Sequence, residues 1–400
     1  MKKGLMTVLV IVMICALVLS ACATSTTQTT TSEQPASETA AEAATETESA
    51  AAAEDTSAGG GFKIGILNPY LGNTWRAQML DEVEKTCEQL KADGTLASYE
   101  VASVSDDATE QLNQFNQMIS KGVDAIVVGA VSATAIEPAV KKAQDAGILV
   151  VVEDNGAACE GTYFVGNSHE AYAGIPMQWI CDKMTAANKT NLVILQGLAG
   201  NETEVERGAA MDRVLANYPD IKVVATAPQS WSMTEAQSVM STLLSTYDNI
   251  DAVYGPEGQE GVLRAYENAG VELPIMNADY TYSFLQYWKD NNMDSITVPS
   301  DPSICATAVK FTVKLLQGEE IDEAKLLPNP LDESLVNWIC LDPPYCVVTA
   351  EADKNAEYLK AYEGMQVLTL DEALALCEGQ PSTYLLSMPA SDDYINSFFK

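Results

Sequence analysis

Several residue types and sequence patterns are scarce or missing in this 400-residue chain, and each shortage excludes a class of function. His169 is the only histidine, so neither a multi-histidine metal site nor a catalytic pair with a second histidine is available. No Gly-x-Ser-x-Gly elbow, P-loop, dinucleotide-binding fingerprint or His-Glu-x-x-His motif occurs. The 22 basic residues are outnumbered by 56 acidic ones, and a net charge of −34 argues against a nucleic-acid partner. The sequence therefore predicts no metal, no cofactor and no catalytic residue.

The cysteines also lack a recognisable pattern. Seven follow Cys22, an odd number with no C-x-x-C pair, so the spacing indicates neither a zinc site nor a disulfide framework. Cys87 and Cys181 share helical faces with apolar residues, and we expect them in the core. A local disulfide between Cys340 and Cys346 stays open as an alternative in an oxidising compartment.

The first sixty residues are typical of an exported, anchored protein. Two lysines, an apolar run from Leu5 to Leu19 and then small residues predict a signal peptide over 1–21, because the run is shorter than a membrane span. The run ends at Leu-Ser-Ala-Cys22, which resembles the bacterial lipobox, so Cys22 is the predicted lipidation site; an ordinary signal peptide is the alternative. Residues 22–61 are almost entirely small or polar and predict an acidic tether. The expected location is the extracytoplasmic face of the membrane, on the cell surface or in the periplasm.

From Phe62 onward, short β-branched runs alternate with amphipathic helical stretches, and several of these runs are apolar on both faces. This pattern predicts an α/β fold with parallel sheets and right-handed crossovers. The predicted strands are Lys63–Leu67, Tyr99–Val104, Ala125–Val128, Leu149–Glu153, Asn191–Gln196, Lys222–Thr226, Ala252–Tyr254 and Ile275–Ala278.

Ligands of open α/β sheets bind beyond the carboxyl ends of the strands. The residues after each predicted strand are therefore the candidate ligand contacts, and they carry indole, amide, hydroxyl or charged groups. They are Asn73, Trp75, Arg76, Ser132, Asp154, Asn155, Arg207, Trp231, Glu257 and Asp279.

Four stretches of the chain resemble the type I periplasmic binding proteins, in particular the ribose- and galactose-binding members. They are KIGILNPYLGNTWRAQM, GVDAIVVGAVSATAIEPAVKKAQDAGILVVVEDN, VILQGLAGNETEVERGAAM and IMNADYTYSFLQYW. The resemblance implies two Rossmann-like lobes joined by a three-strand hinge, with ligand held between them. The expected lobes are 62–166 plus 300–330 and 167–299 plus 331–349, followed by an extension over 350–400.

The resemblance also implies roles for the candidate residues. Asn73, Trp75 and Arg76 match the family's amide and aromatic contacts to the sugar. Arg207 matches an arginine aimed at ligand oxygens, Trp231 an aromatic wall, and Asp279 an acceptor of sugar hydroxyls. The chain departs from the family at Gly129, Asn155 and Pro299, so the ligand need not be ribose.

The family implies a monomer that delivers a sugar-like solute to an ABC permease and its ATPase. A receptor that presents a solute, such as a furanosyl autoinducer, to a sensor kinase or chemoreceptor is one alternative. A glycoside-acting enzyme using Asp154 and Asp279 as opposed carboxylates is a remote one.

Several of the candidate residues also have a structural alternative. An Asp after a strand often caps a helix, Arg207 can pair with Glu204 or Glu206, and Trp75 and Trp231 can belong to the core. Trp179 and Trp288 are expected in the core, and the aromatic end of the chain is expected to pack onto a lobe.

Overall fold

The computed structural model describes residues 60–199, 201–341, 345–362 and 365–400. The predicted signal peptide, Cys22 and nearly all of the predicted tether lie outside these residues. These described residues belong to one compact unit. Among the described residues, no helix combines the length and apolar character needed to cross a membrane.

Strands and helices alternate along most of this unit. The strands are β1 (Phe62–Asn68), β2 (Leu96–Ser103), β3 (Ala125–Val128), β4 (Leu149–Glu153), β5 (Tyr163–Asn167), β6 (Asn191–Gln196), β7 (Lys222–Pro228), β8 (Ala252–Tyr254), β9 (Ile275–Met276), β10 (Ile296–Thr297), β11 (Leu327–Asn329), β12 (Asp332–Leu341), β13 (Tyr345–Val348) and β14 (Gln366–Thr369). The helices are α1 (Thr74–Ala92), α2 (Ala108–Lys121), α3 (Glu137–Asp145), α4 (His169–Ala186), α5 (Glu202–Leu215), α6 (Met233–Thr246), α7 (Gln259–Ala269), α8 (Tyr282–Asp290), α9 (Ile304–Leu316), α10 (Leu370–Leu376) and α11 (Asp392–Asn396).

The first lobe is built on a seven-stranded sheet in the order β11-β12-β5-β4-β3-β1-β2. Its neighbouring strands are parallel except for the β11–β12 pair at one edge. Helices α2 and α3 pack on one face around Phe115 and Val140, and α1 and α9 pack on the other around Met79 and Phe311. Because both faces are covered, the central strands β3 and β4 consist of aliphatic residues, nearly all buried, apart from Glu153 at the end of β4.

The second lobe is built on a parallel sheet in the order β7-β6-β8-β9. A small sheet, β10-β13-β14, adjoins it through a hydrogen bond of 2.9 Å from Ala278 N–H to the Ile296 carbonyl. Helices α4 and α5 cover one face, where Trp179 is buried, and α6 to α8 cover the other, where Trp288 is buried. The prediction that Trp179 and Trp288 are core residues is confirmed.

The predicted α/β fold with two lobes of parallel strands is confirmed. The chain passes between the lobes three times, from β5 to α4, from β10 to α9 and from β12 to β13. The last passage differs from the expected boundary at 330/331. Strand β12 pairs with β5 in the first lobe, where the rings of Phe164 and Trp338 stack with centroids 6.1 Å apart.

The C-terminal region is ordered into short elements. A 3-10 helix spans Glu357–Ala361, and α10 spans Leu370–Leu376. Phe398 and Phe399 lie 5.5 and 5.6 Å from the ring of Phe311 on α9, which confirms the expected packing of the aromatic end. Cys346 carries a free thiol, so the local disulfide with Cys340 is not formed.

Candidate functional site

A cleft lies between the two lobes at the carboxyl ends of their strands. Its volume, counting the part open to solvent, is about 590 Å3. Its lining residues are Pro69, Tyr70, Asn73, Trp75, Arg76, Asp106, Asp154, Asn155, Leu198, Asn201, Thr203, Arg207, Trp231, Glu257 and Ser300. Eight of the ten predicted ligand contacts are among them.

The wall of the first lobe is centred on Arg76, in the first turn of α1. Asn73 caps this helix, and its side-chain oxygen accepts the Arg76 N–H at 2.9 Å. The guanidinium forms an ion pair with Asp154 and donates at 2.9 Å to the side-chain oxygen of Asn155. It also lies over the ring of Trp75, 4.7 Å from the centroid. One Nη group of Arg76 is thus engaged by both predicted neighbours before any ligand is considered.

The backbone fixes the positions of Trp75 and Asp154 in two ways. The indole N–H of Trp75 donates at 2.7 Å to the carbonyl of Ser300, in the second passage between the lobes. Asp154 has a left-handed backbone, with φ of 49°, directly after the last residue of β4. Its neighbour Glu153 is 1% exposed, and burial, followed by the charge of Asp154, raises the pKa of that carboxyl to about 8 despite Arg76. At Gly129 a Cβ would press on the Glu153 carboxylate, so this departure from the family makes room for an acid beneath the cleft.

Arg207, on α5, is the cation of the second wall and is only 3% exposed. Its Nη1 donates to Glu204 at 2.9 Å, and its guanidinium carbon lies 4.1 Å from the ring centroid of Tyr172. Its Nε has no hydrogen-bond partner among the described residues. The pairing with Glu204 and the position in the cleft, weighed as alternatives from the sequence, therefore occur together.

Trp231 forms the aromatic face of the second wall. Ser230 and Trp231 both have left-handed backbones, with φ of 53° and 54°, which turn the indole toward the cleft. The ring lies so close to Gly197 that a Cβ there would overlap it. Within the described part of the chain, the indole N–H finds no acceptor. A buried donor without a partner is costly, so it is suited to a ligand oxygen.

Glu257 follows β8 and completes the second wall. Its Oε1 accepts the hydroxyl of Tyr280 at 3.0 Å. Burial raises the pKa of the Glu257 carboxyl to about 8, with Arg207 opposing and Asp279 adding to the shift. At neutral pH this side chain is therefore mostly protonated and offers both a donor and an acceptor.

Two predicted contacts lie outside the cleft lining. Asp279 accepts the N–H groups of Gly258 at 2.8 Å and Gln259 at 3.3 Å, at the start of α7, and is 3% exposed. Its position therefore follows the capping alternative, because those amides have no partner within the helix. Ser132 lies beside the N-terminal end of α3, where its hydroxyl is 3.4 Å from the N–H of Ala135.

Sequence reasoning missed several lining residues, most of which lie in loops. Two of these residues, Asn201 and Asp106, could have been identified from the sequence. Asn201 precedes a helical stretch and caps α5 by accepting the Thr203 N–H at 3.0 Å. Asp106 follows a strand, and its φ is 60°. Leu198, Thr203 and Ser300 carry no local signal of a cleft position.

Both arginines of the cleft lining are paired with neighbouring carboxylates. Arg76 is paired with Asp154 and Arg207 with Glu204, and Asp106 and Glu257 add further carboxyls. The lining thus offers no unpaired cation to hold an anionic group. Across the described residues, no cluster of three or more His, Cys, Asp or Glu side chains is arranged to hold a metal ion.

A family model described as a periplasmic binding protein domain matches residues 64–320, well over half of the chain. The fold, with its cleft between two parallel-sheet lobes, is that of the type I class. The chain belongs to the periplasmic binding protein family.

Similar proteins include binding proteins for sugars and polyols. The xylitol-binding protein of Mycolicibacterium smegmatis is 31% identical over 226 residues, 55% of this chain and 64% of that protein, so the match spans just under two thirds of it. The ribose import binding protein RbsB of Bacillus subtilis is 24% identical over 275 residues, 68% of this chain and 87% of that protein. The crystal structure of an ABC transporter solute-binding protein from Thermobispora bispora has a TM-score of 0.69 and 25% identity, covering 84% of this chain and 94% of that one.

Proposed function

We propose that this protein captures a neutral sugar or polyol in the cleft and delivers it to an ABC importer. The observation that carries the proposal is that two lining residues of the second wall, Arg207 and Trp231, each hold a buried donor, Nε and the indole N–H, with no partner among the described residues, while the arginine of the first wall is already paired. A polyhydroxylated ligand accepts from such donors with its oxygens, while its C–H face packs on the indole rings.

The absence of net positive charge in the lining selects against anionic ligands. A carboxylate or phosphate would add a negative charge beside Asp154 and Asp106, with each arginine of the lining already paired. Hydrogen bonds to charged groups contribute roughly 1.5–3 kcal/mol each, so three or four, with aromatic packing, can support micromolar affinity of about −8 kcal/mol. The relatives named for xylitol and ribose support the same class of ligand.

A thermal-shift panel tests the ligand class. We expect at least one of xylitol, D-ribose and myo-inositol to stabilise the protein, by about 2.7 kcal/mol at a hundred times its Kd, and D-glucuronate not to. Stabilisation by the uronate alone would contradict the charge argument.

Arg207→Lys tests the site. The variant keeps the charge but loses the planar Nε donor, so we expect affinity for the best neutral ligand to fall at least about tenfold. Arg213→Lys, in which an exposed arginine of the same helix is replaced, is the matched control and should bind normally. Equal affinities of the two variants would remove Arg207 from the site.

The remaining parts of the proposal concern location and chemistry. We propose that Cys22 is lipidated, that the protein acts as a monomer outside the cytoplasm, and that an ABC permease with its ATPase receives the solute. Incorporation of labelled palmitate in cells, lost in Cys22→Ser, is the expected result for the anchor. We also propose that the protein has no enzymatic activity: Asp154 is paired with Arg76 and Asp279 lies outside the cleft lining, so the two do not form opposed catalytic carboxylates.

A further inference from the structure

The C-terminal segment over residues 382–388, called the strap below, runs across the boundary between the two lobes. On the second lobe it pairs with the residues that lead into α8. Ser283 N–H donates to the Ser382 carbonyl at 2.9 Å, Tyr282 N–H to Tyr384 at 2.7 Å, and Leu386 N–H to the Tyr280 carbonyl at 2.9 Å. These bonds form a short antiparallel pairing directly after Asp279.

The same segment is bound to the first lobe through Gln78. This residue lies on α1, two positions after Arg76. Its side-chain nitrogen donates to the Leu385 carbonyl at 2.9 Å, and its side-chain oxygen accepts the Leu385 N–H at 2.9 Å. One strap residue thus has both backbone groups bound to the first lobe, while its neighbour Leu386 is bound to the second. Leu385 and Leu386 are 3% and 0% exposed, so these bonds are shielded from water.

The strap is also attached to a passage between the lobes. Asp301, between β10 and α9, is 5% exposed and accepts the Ser387 hydroxyl at 2.7 Å and the Met388 N–H at 2.6 Å. The preceding residue, Ser300, is the one whose carbonyl holds the indole of Trp75 in the cleft. Asp301 is therefore a positioning residue that connects the strap to the cleft wall.

We propose that the strap is a fourth link between the lobes and that it limits hinge opening in the ligand-free protein. The three passages of the chain allow rotation about their backbone bonds, whereas the strap is bound to both lobes beside the hinge. Any opening that separates α1 from the start of α8 must break the Gln78 bonds or the pairing at Tyr280. Apparent affinity for a ligand equals the affinity of the closed, binding-competent state reduced by the fraction of protein in that state. A link that favours the closed state therefore raises the apparent affinity. The inference does not depend on which solute the cleft holds.

Single-molecule energy transfer in the ligand-free full chain tests the proposal. Dyes are coupled to unnatural residues placed at the exposed positions Lys141, on α3, and Ser245, on α6, one in each lobe. Gln78→Ala removes both side-chain bonds to the strap and keeps a helix-forming residue. We expect a broader inter-lobe distance distribution, shifted to longer distances. Gln114→Ala is the matched control, because that amide donates at 3.1 Å to the Ser103 carbonyl within the first lobe alone.

Asp301→Asn provides a second test that does not alter α1. We expect it to broaden the distribution as well, because a neutral amide accepts more weakly from Ser387 and Met388. Distributions of both strap variants that superimpose on the parent's would overturn the proposal. Equal broadening in Gln114→Ala would also overturn it, since the effect would then follow from loosening of one lobe.

Discussion

Replacing Glu257 with glutamine should change how the stability of the protein depends on pH. Burial raises the pKa of this carboxyl from 4.5 to about 8 in the folded protein, while the unfolded chain keeps the lower value. Between those two values the unfolded state has released the proton and the folded state has not. The unfolded state therefore binds fewer protons, and stability falls as the pH rises through this window.

The size of the effect follows from the two pKa values. Integrating between pH 5 and pH 9 gives a loss of about 4 kcal/mol through this group, an upper estimate because neighbouring groups relax. A unit of roughly 340 residues unfolds with about 0.7 kcal/mol/K of entropy, so the loss corresponds to about 6 °C in Tm. Glu257→Gln removes the titration and keeps the shape of the protonated acid. The Tm of the variant should therefore exceed that of the parent by several degrees at pH 9 and by little at pH 5.

Differential scanning calorimetry across that pH range measures the difference. Glu160→Gln, at an exposed glutamate, is the control and should follow the parent at every pH. If the Tm curves of Glu257→Gln and the parent run parallel from pH 5 to pH 9, the carboxyl is not buried against the second wall as described. The burial-based assignment of its protonated state would then be refuted.

Two further changes test the cleft wall and the core. Gly197→Ala should weaken ligand binding about tenfold or more, because the added methyl displaces the Trp231 indole, whereas Gly208→Ala, which meets open space on α5, should bind as the parent does in isothermal titration calorimetry. Equal affinities would show that the indole does not contact ligand. Trp288→Ala should cost about 3–5 kcal/mol in urea unfolding, because this fully buried side chain also donates at 3.0 Å to the Met293 carbonyl; a loss under about 1 kcal/mol would contradict the packing.

The central strands could be predicted because a continuous apolar run indicates a strand that is buried on both faces. Ala125–Val128 and Leu149–Glu153 are unbroken runs that only a sheet covered on both faces accommodates, and both match β3 and β4 residue for residue. Strand β5, Tyr163–Asn167, was missed because it is short and contains a glycine. The pairing of β12 with β5 depends on contacts between residues more than 170 positions apart, which no local pattern encodes.

The candidate site could be predicted where a polar or charged side chain follows a predicted strand. Arg76 and Arg207 lie on the helices that follow β1 and β6, near the carboxyl edge of each sheet where ligands of α/β folds bind. Asp279 meets the same condition but is bound by the amides at the start of α7, and the turn that brings Gly258 to it is invisible in the sequence. Ser300 contributes its backbone carbonyl, which every residue has, so its identity carried no signal.

The order in which the first lobe is assembled along the chain has a consequence for folding during synthesis. Its sheet begins at Phe62, yet it needs β12, the helix α9 and the final aromatic residues packed on Phe311. The bond from Gln78 to Leu385 closes a separation of 307 residues. A nascent chain therefore cannot complete this lobe until Phe398 and Phe399 have left the ribosome, and contacts of such high sequence separation form slowly. The first lobe therefore stays unfinished while the whole of the second lobe is synthesised.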